Sequence, residues 1–199
     1  RSGAFGGIYF AHRNTETGDI LGFEQRWEKD GQKNAARFAK GGRKTVNVLG
    51  DPATAIRMVV VEGGLDALAL AELEVRNDTI YVSTGGGFGP LTEAALQRLA
   101  VGKAVVSGFD NDAAGAVLHE KLRGLISGAE RYAPPCEING SEAFCKDWLD
   151  VLKAERSVEV AVQQQDPVSS DLEAIPMPAP TVIDVDKDAP SGQPDMLGF

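Results

Sequence analysis

Ala104-Val105-Val106-Ser107-Gly108-Phe109-Asp110-Asn111-Asp112-Ala113-Ala114-Gly115 is the stretch whose reading decides the fold. A short apolar run closed by a turn and acids is how a buried strand is written, and the segment from Ala113 to Leu125 follows it as a helix. A strand running straight into a helix is one βα unit, and repeated units build a parallel sheet. The pattern occurs twice more upstream. Met58-Val59-Val60-Val61 leads into a helix predicted from about Leu65 to Leu73, and Thr79 to Ser83 leads into one from about Thr92 to Leu99. A fourth short strand is expected over Glu130 to Ala133, and a last helix from near Asp147. The fold class is α/β, a parallel sheet flanked by helices.

Upstream of Ile56 the pattern changes. Gly7 to Ala11, a turn around Thr17-Gly18-Asp19, and Ile20 to Trp27 read as a hairpin, while residues 28–50 read as basic, Gly-rich loops with one short strand. Downstream of Val162 the chain turns to Gln, Asp, Pro, Ser and Ala, whose burial could not offset the entropy of ordering. Three segments follow: a small antiparallel basic lobe over 1–55, an α/β domain over 56–157, and a disordered acidic tail over 158–199.

The net charge of -9 over 199 residues hides a division. Residues 1–60 hold ten Lys and Arg against six acids, residues 61–157 nine against fifteen, and residues 158–199 one against eight. A basic lobe beside an acidic one suits an enzyme that holds phosphates with the first and metal cations with the second. No apolar run approaches the roughly 20 residues that cross a bilayer. Nothing resembles an export signal, so a cytoplasmic, membrane-free protein is expected. Cys136 and Cys145 lie nine apart without a CxxC or a nearby histidine, which disfavours a zinc site or disulfide framework, and His12 and His119 read as structural. The chain begins at Arg1 rather than Met, which reads as a fragment of something longer.

In an open α/β sheet, ligands collect beyond the C-terminal strand ends. The first such end is Glu62-Gly63-Gly64-Leu65-Asp66, where two glycines permit a turn that points Glu62 into the crevice, and where Asp66 is either part of the site or an ordinary helix N-terminal acid. Asp110 and Asp112 can converge on one Mg²⁺, which takes one or two carboxylates plus water and phosphate; the alternative is an Asx turn with a helix cap. Between them, Ser83-Thr84-Gly85-Gly86-Gly87-Phe88-Gly89-Pro90 would let backbone N–H groups approach phosphate, without the spacing or lysine of a P-loop. Asp147 and Asp150, three apart on one helix face, either add carboxylates or cap a helix. Tyr9, Tyr81 and Tyr132 read as packing residues of strands.

Together, Glu62-Gly-Gly-Leu-Asp66, Ser83-Thr-Gly and Asp110-Asn-Asp112-Ala-Ala-Gly115 resemble the ordered motifs of Toprim domains, and within them those of bacterial primases. Gly7-Ile-Tyr-Phe, Thr17-Gly-Asp-Ile-Leu-Gly-Phe and Arg26 resemble the basic subdomain preceding the primase Toprim core, so the likeness covers about residues 7–152. Lys146-Asp147-Trp148 resembles a Lys-Asp-Trp-Asn-Asp motif of plasmid and phage primase-like proteins, with Leu149 in place of Asn. The resemblance implies that Glu62, Asp110 and Asp112 are catalytic; that Glu62, Asp66, Asp110, Asp112 and Asp147 hold Mg²⁺ or Mn²⁺; and that Arg26, Lys40 or Lys44, and the loop glycines Gly85 and Gly86 meet nucleotide or template phosphates. Zinc-ribbon cysteines and a helicase are absent from the sequence, so template selection and unwinding would come from elsewhere.

The chain closes on Gln193-Pro194-Asp195-Met196-Leu197-Gly198-Phe199. Gln193, Met196, Leu197 and Phe199 resemble the short motif by which bacterial proteins dock on the replication sliding clamp, a disordered tether with a few apolar anchors. The function implied is a metal-dependent, primase-like nucleotidyltransferase working on single-stranded DNA template with nucleoside triphosphates, with a sliding clamp or a replicative helicase as partner. A Toprim nuclease and a non-catalytic nucleic-acid-binding or replisome adaptor are the alternatives.

Overall fold

The computed structural model describes residues 7–29, 32–135, 137–138, 141–142 and 145–165. The tail residues Gln193, Met196, Leu197 and Phe199 lie outside the described residues. Chain order is β1 (Ile8–Arg13), β2 (Ile20–Lys29), β3 (Gln32–Phe38), β4 (Asn47–Leu49), β5 (Arg57–Val61), α1 (Gly64–Glu74), β6 (Thr79–Ser83), α2 (Pro90–Ala100), β7 (Ala104–Ser107), α3 (Ala113–Leu125), β8 (Glu130–Arg131), β9 (Glu137–Ile138), β10 (Ser141–Glu142) and α4 (Trp148–Gln165).

The larger sheet runs β4-β6-β5-β7-β8. β5 pairs parallel with β6 on one side and with β7 on the other, and β7 pairs parallel with β8. Strand side chains alternate between faces. Met58, Val60, Ile80 and Val82 accordingly meet Leu96 and Leu99 of α2 and Leu122 of α3, while Val59, Val61 and Tyr81 meet Ala67 and Leu70 of α1 and Trp148 and Val151 of α4. The result is three layers with an apolar core on each face of the sheet. Each fully buried aliphatic side chain there contributes roughly 1.5–3 kcal/mol by leaving water.

The smaller sheet is β1-β2-β3, antiparallel throughout. β3 occupies a stretch expected to be mostly loop, because pairing with β2 orders residues such as Ala35 and Ala36 that carry no strand preference of their own. β4, inside the segment assigned to the lobe, pairs antiparallel with β6 and forms an edge of the larger sheet. The chain leading into it stitches the two sheets together. Thr45 Oγ1 donates to the Arg13 carbonyl at 2.6 Å, and Asn47 Nδ2 donates to the Ala11 carbonyl at 3.0 Å. α4 runs on to Gln165, past the point where composition predicts order to end, since each added residue of an existing helix gains a hydrogen bond without a new nucleus. Among the described residues no helix is long and apolar enough to cross a membrane.

Candidate active site at the sheet rim

The chain leaves β5 toward β6 on one side and returns to β7 on the other, so a crevice opens between the C-terminal ends of β5 and β7. Glu62 follows β5 and Asp110 lies three residues beyond β7. A polar cleft of about 210 Å³ lies there, lined by Arg26, Glu62, Asp66, Asp110, Lys146 and Asp147. Glycine makes the approach possible. A β-carbon at Gly115 would overlap the Asp110 carbonyl, and one at Gly64 would overlap the Phe10 ring from the smaller sheet.

The aspartates differ in what holds them. Asp112 is the N-cap of α3, its Oδ1 accepting the Gly115 N–H at 2.8 Å, and that bond holds its carboxyl below the usual range. Its Oδ2 lies 3.3 Å from Lys146 Nζ, which also lies 3.5 Å from Asp110 Oδ2. Of the two readings of the Asp-x-Asp motif, Asp112 shows the helix cap, and it shares the Lys146 ammonium with Asp110. Burial pushes Asp110 up to about 6, with Glu62 adding repulsion, and pushes Asp66 up to about 7, with Asp147 and Asp110 adding theirs. Asp147 caps α4 by accepting the Asp150 N–H at 2.8 Å, whereas Asp150 points to Lys153 at 3.3 Å.

The smaller sheet and the segment that follows it supply the cations. Arg26 Nε is held by Glu24 on the same strand, and its Nη2 would stand 3.3 Å from a β-carbon at Gly63. Lys44 Nζ donates to the Gly85 carbonyl at 2.7 Å and rides over the Phe38 ring. Gly86 N–H donates to the Glu62 carbonyl at 3.2 Å. Of the two lysines considered from sequence, Lys44 meets the Gly-rich loop, while Lys40 is exposed in the turn after β3. Tyr81 is buried with its hydroxyl donating to Glu74 at 2.7 Å, and Tyr132 stacks near Trp148, so neither faces the cleft.

Residues 59–152 match the Toprim-like family model. That stretch is Toprim-like. Among solved structures, the primase fragment of the bacteriophage T7 primase-helicase protein is 21% identical with a TM-score of 0.52, over 80% of this chain and 64% of that one. The RNA polymerase domain of Mycobacterium tuberculosis primase in complex with a double-stranded DNA oligomer is 23% identical, TM-score 0.49, over 83% and 57%. The zinc-binding and RNA polymerase domains of Aquifex aeolicus primase are 20% identical, TM-score 0.47, over 79% and 39%. No curated protein matches the sequence. The T7 likeness is one of fold, and its 80% coverage takes in residues outside the Toprim domain. The chain spans less than two thirds of each of these three structures.

The Toprim rim has the donor chemistry of a hard divalent cation: carboxylate oxygens, crowded enough that two of them resist ionising. Among the described residues no three His, Cys, Asp or Glu side chains already stand as a finished ligand set. Two participants escaped the sequence-based set of site residues. Lys146 neighbours Asp147 in sequence, but its partners lie more than thirty residues away. Glu24 stands two positions before Arg26, on the same face of β2, and that period-two placement was a signal available in the sequence.

Proposed function

We propose that this chain is a metal-dependent, primase-like nucleotidyltransferase that joins nucleotides on single-stranded nucleic acid in DNA replication or plasmid or phage mobilisation. One observation carries the proposal: Arg26 of the smaller sheet and the carboxylates of Glu62, Asp66, Asp110 and Asp147 line the same cleft. Polymerisation from a triphosphate needs both signs of charge at one place, an anion to hold cations and a cation to hold the polyphosphate.

Glu62, Asp110 and Asp112, with Asp66 and Asp147, are the residues that would hold Mg²⁺ or Mn²⁺. A bound divalent ion of this kind neutralises the triphosphate and lowers the pKa of an attacking hydroxyl. The chain's own groups do the rest. Arg26 orients a phosphate through the guanidinium nitrogens that Glu24 leaves free, and Lys44 supports the Gly85-Gly86 loop against which the nucleotide is laid. Glu62 takes the proton from the attacking hydroxyl as that oxygen bonds to the α-phosphorus and the bond to the leaving pyrophosphate breaks. Lys146 balances Asp110 and Asp112 until substrate arrives and then turns its exposed ammonium to phosphate.

Incubation with single-stranded template, nucleoside triphosphates and Mg²⁺ or Mn²⁺ tests this: oligonucleotide synthesis is expected. A shortened template would replace it with the nuclease, and binding without chemistry with the adaptor. The proposed clamp contact is tested separately, by deleting residues 193–199; clamp affinity should disappear, and unchanged affinity removes the idea.

A further inference from the structure

We propose that His12 and Glu24 are a buried positioning pair that fixes Arg26 over the cleft and seats the Gly85 loop on the smaller sheet. The consequence for substrate rests on Arg26 meeting phosphate as proposed above; the positioning itself does not. In the β1/β2 register Ile8 opposes Arg26, Phe10 opposes Glu24 and His12 opposes Gly22, so Phe10, His12, Glu24 and Arg26 share one face. That face abuts the strand-end turns of the Toprim domain, Phe10 at Gly64, Arg26 at Gly63, and His12 and Glu24 at Gly85.

The pair is polar where packing alone would ask for apolar groups. His12 is 0% and Glu24 5% exposed. His12 Nδ1 accepts the Thr45 N–H at 3.3 Å, so the neutral ring carries its proton on Nε2. Nε2 is buried without a hydrogen-bond partner among the described residues, and so is Glu24 Oε2. A donor and an acceptor thus lie around the same α-carbon: a β-carbon at Gly85 would stand 3.1 Å from His12 Nε2 and 3.8 Å from Glu24 Oε2. With φ +65 and His12 Cε1 2.9 Å from that position, residue 85 has to be glycine. Lys44 grips the same residue from its carbonyl.

Glu24's remaining oxygen does the second task. Its Oε1 accepts from Arg26 Nε, which leaves the two Nη groups for the cleft. An arginine is a long, rotamer-rich side chain, and a buried carboxylate on its Nε prepays the entropy of presenting its planar fork. The ligand class this favours is a phosphate oxyanion, supplied by a nucleoside triphosphate or by a strand backbone. Seating the loop matters because a β-carbon on the next residue, Gly86, would lie 3.8 Å from Glu62 Oε1. Releasing Gly85 would therefore disturb the acidic rim as well.

The test compares the full chain with Glu24→Ala, Glu24→Asp, Glu24→Gln, His12→Ala and His12→Gln. NMR reads hydrogen exchange of the Arg26 Nε–H and of the amides of residues 84–87, with Tm as the control for folding. In Glu24→Ala the Arg26 Nε–H should exchange at least tenfold faster. Glu24→Asp, which retracts the carboxylate by one methylene but keeps the charge, should do the same if the alanine variant does not fold. Glu24→Gln retains an acceptor and restores most of the protection. His12→Ala, which removes the ring packed against Gly85, should speed exchange in the loop, and His12→Gln, which restores much of that bulk, should reverse it. Triphosphate and oligonucleotide affinities, measured side by side, should each fall about tenfold in Glu24→Ala, and adding Arg26→Ala should cost nothing further. Whichever ligand shows that shared loss is the source of the phosphate. Unchanged Arg26 exchange in a folded Glu24→Asp or Glu24→Ala protein overturns the pair. A parent that binds neither ligand refutes the phosphate reading, and the exchange result still decides the positioning.

Discussion

The acidic rim of the Toprim sheet and the basic face of the smaller sheet hold opposite charges in opposite conditions. On the rim, Asp66 and Asp110 are buried beside other carboxylates and pushed to about 7 and about 6, with Lys146 as the cation bridging Asp110 and Asp112. On the basic face, Arg26 is tied to Glu24 and Lys44 to the Gly85 carbonyl. The rim crowds carboxylates that resist ionising together, whereas the face has its cations already tied to partners. The difference follows from the elements. Strand-end turns bring acids together from separate βα units, while the strand β2 places Arg26 beside a fixed partner at spacing two.

The comparison breaks first at Asp110. Asp110→Ala should lower metal-dependent nucleotide transfer by at least about a hundredfold, as removal of a metal ligand does. Circular dichroism and Tm should stay close to the parent, because the lost charge was one that the rim disfavours. Retained activity would mean that the crowded acids are not the catalytic ones.

Arg26→Ala probes the other side. It should weaken nucleic-acid binding about tenfold and lower the slope of log affinity against log salt by roughly 0.7, the share of one phosphate contact on a single strand. An unchanged slope would say that the organised cation meets no phosphate.

The smallest effect sharpens the rim alone. Asp66 binds its proton more tightly folded than unfolded, so its ionisation opposes folding as pH rises from about 4 through about 7. In metal-free protein, Asp66→Asn should therefore be more stable than the parent at pH 8 by about a few degrees in Tm, the gap narrowing as pH falls and closing near pH 4. Buried His12, whose pKa is lowered by burial, works in the opposite direction below about 6.5, and it cancels in the difference between the two proteins. A gap that does not vary with pH would show that Asp66 is not strained.

Much of this was legible before any coordinates. Apolar runs followed directly by helices announced β5-α1, β6-α2 and β7-α3, and α3 occupies Ala113–Leu125 as read. What escaped was non-local. β4 is three residues long and is a strand through its pairing with β6, more than thirty residues on. Residues such as Ala35 and Ala36 in β3 have no local preference for it. At the site, Glu62, Asp66, Asp110 and Asp147 could be picked from strand-end and helix-start positions. Lys146 could not be weighed in the same way, because a lone Lys announces no partner, while Glu24 was legible only through its spacing of two from Arg26. Asp150 shows the reverse: its spacing from Asp147 suggested a shared face, yet it faces Lys153.

Mn²⁺ binding, titrated by electron paramagnetic resonance in the parent and in Glu62→Gln, tests the central claim most directly. If acids from the ends of β5 and β7 serve one cation, the parent binds Mn²⁺ and the variant, folded and otherwise intact, binds it at least about tenfold more weakly. Equal affinity in the two proteins, or no binding in the parent, would contradict a shared metal at the switch crevice.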